Sequence, residues 1–166
     1  MKLRGLTSFI FAALAFAGAA DAAPPARTEV LGKAAEGAAI CAAAMPDSRA
    51  TSSALVANGF SLADANGPLK AYSALGNRVV VMISSPTRRD KVCLVAVGSL
   101  SEAEALQLIN PWLDQSQASP VQVVGGFTHG WLGSFKGGPI ELAITRNTDL
   151  FYFTGRAILA RTAMNP

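Results

Sequence analysis

Histidine occurs once in this chain, as His129, and cysteine only twice, as Cys41 and Cys93. A zinc site needs three or four Cys, His or carboxylate ligands grouped in space. There is no CxxC, no HExxH and no acidic pair in an apolar setting, so neither a metal site nor a cofactor is expected. Glu102 and Glu104 fall in the first turn of a predicted helix, where negative charge is favourable in any case. A serine triad needs a Gly-x-Ser-x-Gly elbow, and Gly98-Ser99 and Gly133-Ser134 are isolated pairs. Charge is sparse, with 15% Asp, Glu, Lys and Arg. The basic residues are scattered, and only Arg88-Arg89 are adjacent, so the basic stripe of a nucleic-acid binder is missing.

Long apolar runs are also lacking. The longest opens the chain, from Leu6 to Ala17, behind Lys2 and Arg4 and ahead of the small-x-small site Ala20-Asp21-Ala22. That pattern predicts a secretory signal peptide over residues 1–22. Its apolar run is about 12 residues, short of the roughly 18–20 that span a bilayer. Removal leaves a mature chain of about 144 residues, with 12 basic and 10 acidic side chains and no membrane span. This length suits one domain, predicted at 29–166 behind a linker at 23–28. The expected location is periplasmic or secreted.

What is present centres on Arg78 to Gly98. The runs Val79-Val-Val-Met-Ile83 and Val92-Cys-Leu-Val-Ala-Val97 flank a polar turn around Pro86. These two β-branched segments predict a β-hairpin. Neither run alternates apolar with polar, so both faces of each strand are expected to be covered. Before it, Glu29–Met45 carries Val30, Ala34, Ala38, Cys41 and Met45 at helical spacing, and Pro46 ends the pattern. Asp47 or Ser48 caps a second helix to about Ala57. Ser61–Asn77 reads as a connection around the Asn66-Gly67-Pro68 turn, with Leu69–Leu75 a short helix or an edge strand. After the hairpin, Ser101-Glu-Ala-Glu104 is a capping box, and Asn110-Pro111 predicts a kink or restart in the helix that follows.

The C-terminal half reads as strands. Pro120–Val124 is short. Phe127–Phe135 places Phe127, His129, Trp131 and Phe135 on one face if it is regular. Ile140–Thr145 alternates, Asn147–Asp149 turns, and Leu150–Thr154 returns. Arg156–Met164 is a strand continuation or a terminal helix. The expected fold is α+β: a mainly antiparallel sheet of about five to six strands, two N-terminal helices, and one helix between strands 2 and 3. This order is similar to the layout of profilin-like and PAS-like domains, a likeness of arrangement that assigns no function.

In an exported protein an even cysteine count favours a disulfide, and Cys41–Cys93 is the one pairing available. Two buried free thiols and a reactive thiol are the alternatives. The function expected is a non-catalytic binding or inhibitor domain for an unknown protein or small ligand. Its candidate contact surface is Phe127, His129, Trp131 and Phe135 in the glycine-rich Gly125–Gly138 stretch, followed by Arg88 and Arg89 in the hairpin turn. Core aromatics with glycines that permit close packing are the competing explanation of that stretch. One alternative is a structural subunit of a homo-oligomer in the cell envelope, a second copy covering a hairpin face the helices leave bare. Another is a thiol enzyme pairing Cys93 with His129.

Overall fold

The computed structural model describes residues 23–150 and 153–162. The predicted signal peptide, residues 1–22, lies outside the described residues. Within the described residues three helices pack against one antiparallel sheet. The helices are α1 (Arg27–Ala44), α2 (Ser48–Ala57) and α3 (Glu102–Ser116). The strands are β1 (Ser61–Asp64), β2 (Leu69–Ala74), β3 (Val79–Ser84), β4 (Val92–Gly98), β5 (Ser119–Pro120), β6 (Phe127–Phe135), β7 (Gly138–Thr145), β8 (Thr148–Leu150) and β9 (Phe153–Thr162). Their order across the sheet is β1-β2-β3-β4-β9-β7-β6-β5, eight strands in one path, and β8 pairs with the start of β9.

The expectation of five to six strands with a helix between strands 2 and 3 is therefore corrected. α3 lies between β4 and β5, because Ser61–Asn77 is not a plain connection but the β1–β2 hairpin. Ser61-Leu-Ala-Asp64 and Leu69-Lys-Ala-Tyr-Ser-Ala74 contain no β-branched residue, so their strand signal is weak. β2 is held by pairing with β3, in which Tyr72 faces Val81, and β1 by pairing with β2. The likeness to profilin-like and PAS-like layouts falls with that strand count. α3 runs through Pro111 as one helix. Of the predicted Pro120–Val124 strand only Pro120 lies in a strand, as the second residue of β5, while Arg156 to Thr162 continues β9. The tip of the predicted return strand, residues 151–152, and residues 163–164 lie outside the described residues.

The core sits between the helices and one face of the sheet. Val79, Val81 and Ile83 of β3 and Cys93, Val95 and Val97 of β4 point to that face. So do Ile140, Leu142 and Ile144 of β7. The face of α1 is built of small residues, which lets the helix approach closely. A Cβ on Gly37 would stand 2.8 Å from Val81 Cγ2 and 3.3 Å from the Phe60 ring. At the centre of this contact Cys41 of α1 is bonded to Cys93 of β4, with Cα atoms 6.2 Å apart. Both cysteines are buried. Among the described residues no helix is long and apolar enough to cross a membrane. The other face holds a smaller buried group, Ala71, Val80, Met82, Ala96 and Ala157, to which none of the three helices contributes.

The start of α3 is tied to the start of α1. Ser101 and Glu104 form the reciprocal capping box. Glu104 also receives Arg27 Nη2 at 2.5 Å and Arg27 Nε at 2.9 Å. The Arg27 guanidinium, with the Ser101 N–H and hydroxyl, lowers the Glu104 pKa from 4.5 to about 2. A depressed carboxylate pKa stabilises the fold fully above the unfolded value, and the contribution is lost as pH falls through the folded one. Both side chains are partly exposed, so about 1 kcal/mol or less is expected from the pair. Glu104→Gln is accordingly expected to lower stability by up to that amount at pH 7. The gap to the wild type should close between pH 4.5 and about 2. Urea melts at pH 7, 4 and 2 measure it, and a gap unchanged at pH 2 rules out the ion pair as its source.

Candidate outer-face groove

Strand β6 decides which sequence-predicted groups stand together. Paired residues in an antiparallel ladder project to the same face. His129 pairs with Ile144, Trp131 with Leu142 and Phe135 with Gly138, so these three side chains face the helices. Phe127 instead pairs with Thr145, because a bulge between Phe127 and His129 inserts one residue into β6. That single insertion turns Phe127 to the outer, helix-free face.

The three helix-facing rings form a seam, not a slot. Phe135 is buried, with its centroid 5.6 Å from Trp112 of α3. Lys136 extends Nζ to the carbonyls of Ala43 and Met45 and passes 5.3 Å from the Phe135 ring centre. Trp131 is half-buried and stacks on His129 at 5.7 Å. His129 Nε2 lies 2.8 Å from Glu102 Oε1 at the start of α3. Arg156 Nη1 approaches the other Glu102 oxygen at 3.4 Å. Hydrogen bonding to His129, more than the Arg156 charge, lowers the Glu102 pKa. The single imidazole thus anchors a helix N-terminus.

The structure does not bring Cys93 and His129 together. β4 and β6 are separated by β9 and β7, which puts the two side chains roughly 14 Å apart at ordinary strand spacing. Cys93 is also bonded to Cys41. No group of three or more His, Cys, Asp or Glu side chains that could hold a metal occurs among the described residues. In the hairpin turn, Arg88 forks Asp90 at 2.8 and 2.6 Å, and Lys91 Nζ closes the loop on the carbonyls of Pro86 and Arg88. Arg89 is exposed.

The outer face of β6, β7 and β9 carries a feature that the sequence reading did not assemble. After β5 the chain Val121–Val124 leaves the sheet edge and folds back over this face. The Val121 N–H donates to the Gly130 carbonyl at 2.9 Å. Val123 seats itself on Gly130, where any Cβ would collide with its Cγ1. The result is an open groove of about 430 Å³ with Phe127, Leu132, Ala143 and Leu159 among its lining residues. Three large apolar side chains of its lining are exposed: Val121 at 40%, Val124 at 86% and Leu132 at 50%. The groove ends at Glu141 and Arg161, opposite each other on β7 and β9 and bonded to one another. A wider, more polar depression of about 790 Å³ lies beside Arg27, Arg78 and Ser99. Its Arg27 is already engaged with Glu104 and with the Gly98 and Ser99 carbonyls.

Val121-Gln-Val-Val124 reads as a strand because it is β-branched. The local signal that it leaves the sheet is the Gly125-Gly126 pair that follows, with Gly125 at φ 75°. No protein-family model, curated protein or solved structure matches this chain.

Proposed function

We propose that the protein is an exported, disulfide-stabilised, non-catalytic binding or inhibitor domain that engages its target through the outer-face groove. The observation that carries the reading is that three of the five exposed large apolar side chains among the described residues, Val121, Val124 and Leu132, group around one concavity. Exposed apolar surface gathered in this way marks interaction sites. The chemistry elsewhere supports a binder over a catalyst. Both cysteines are bonded, and the one imidazole is committed to Glu102. The bond also fits an oxidising compartment, in keeping with the predicted signal peptide.

Affinity capture of protein and lipid components from an envelope extract, with the wild type against Val124→Asp/Leu132→Asp, tests the reading. Both positions are at least half exposed, so the fold should be unchanged by circular dichroism and thermal melting. The component retained by the wild type is expected to fall about tenfold in the variant, the equivalent of ~1.4 kcal/mol. Equal yields would remove the groove as the contact surface. Rapid alkylation of a thiol in the native protein would overturn the non-catalytic assignment.

A further inference from the structure

We infer that the groove takes an uncharged small molecule presenting an alkyl chain, an inference that rests on the outer-face binding function above. The argument is one of charge and shape. Among the described residues the only charged side chains lining the groove are Glu141 and Arg161, and they are paired with each other. Arg161 Nε donates to Glu141 Oε2 at 2.7 Å, and its Nη2 reaches the same oxygen. The pair carries no net charge, so it offers neither an anion nor a cation an attraction that would offset the loss of that ligand's own hydration. The remaining outer-face side chains are Val, Leu, Phe, Ala and one Gln. An uncharged apolar chain removes their exposed surface from water at about 25 cal/mol per Å² and leaves the ion pair intact.

Shape favours a small molecule over a peptide strand or a second copy. The volume of about 430 Å³ lies within the ~300–1,000 Å³ of small-ligand pockets. The Val121–Val124 wall is fixed by the Val121–Gly130 hydrogen bond and by Val123 over Gly130, so the concavity is preformed. A peptide strand adding at this end would need an open sheet edge. Here the edge is β5, two residues long, with Pro120 lacking the N–H that pairing requires. A flat face suits face-to-face dimerisation, and the raised wall interrupts it.

The test uses the purified protein and N-phenyl-1-naphthylamine, an uncharged fluorescent probe. Saturable binding of one probe per chain is expected, with displacement by 1-decanol and at least tenfold weaker displacement by decanoate. Val124→Asp and Leu132→Asp should each weaken probe binding about tenfold or more. Ala39→Asp, in the separate cleft between α1 and α3, should leave it unchanged. Val124 is so exposed that its variant keeps the test valid should Leu132→Asp fail to fold. Four results would overturn the inference: no saturable binding, equal displacement by decanoate, binding indifferent to both groove variants, or a dimer by light scattering that must dissociate before the probe binds. If the probe fails while Val124→Asp/Leu132→Asp still abolishes retention of the extract component, the binding function stands and the ligand class falls. If both fail, both fall.

Discussion

Cys41→Ala/Cys93→Ala is expected to destabilise the protein by about 4 kcal/mol, which is ~10–15 °C in melting temperature for a chain of this size. The bond joins residues 52 apart in sequence, and closing a loop of that length removes much conformational freedom from the unfolded chain. It also pins α1 to β4 at the centre of the core, where both cysteines are buried. The two single alanine variants should each lose nearly as much as the double, since either one removes the cross-link. That non-additivity is the diagnostic result. Two separate ~2 kcal/mol losses that simply add would mean that the cysteines act as packing groups and not as a staple. Thiol titration gives the matching chemical readout. No thiol should appear in the native or the unfolded protein without reductant, and reduction should require unfolding first.

Legibility in the sequence tracks how local each feature is. The β3–β4 hairpin was readable because Val79–Ile83 and Val92–Val97 are continuous apolar runs rich in valine, and they pair as Val81 with Val95. The capping box at Ser101 and Glu104 was readable because its partners are three residues apart. The cysteine pairing needed only a count. β1 and β2 escaped because serine, alanine and lysine carry little strand signal, and missing them misplaced α3 in the strand order. The face of Phe127 escaped for another reason. Alternation assumes a regular strand, and one inserted residue near Thr128 reverses everything before it. The groove was least legible. Val121–Val124 has strand-like composition, and only its tertiary contact with Gly130 shows that it crosses the sheet.

Gly133→Ala is expected to cost about 2–4 kcal/mol, while Gly32→Ala stabilises the protein by about 0.5–1 kcal/mol. The two substitutions add the same methyl group, so the surroundings alone set the sign. Gly32 lies on the exposed side of α1, and nothing stands within 4 Å of its would-be Cβ. Alanine there reduces the freedom of the unfolded chain and improves helix propensity without meeting anything. Gly133 sits in β6 facing the end of α3. Its Cβ would stand 2.6 Å from the Ser116 carbonyl oxygen and 2.9 Å from the Cα and Cβ of Ala118. These are largely backbone atoms, which cannot rotate away. Ser116 is held by its own hydroxyl on the Trp112 carbonyl at 2.7 Å, and Gln117 caps α3 in the left-handed region at φ 49°. Relief therefore means shifting the whole end of α3, and with it β5 and the Val121–Val124 wall that β5 leads into. Denaturant melts of both variants give the stabilities, and the probe titration reports on the wall. Gly133→Ala should lose probe affinity together with stability, and Gly32→Ala should leave affinity unchanged. A Gly133→Ala protein as stable as the wild type would mean that α3 does not close on β6, and the groove wall would lose its support from behind.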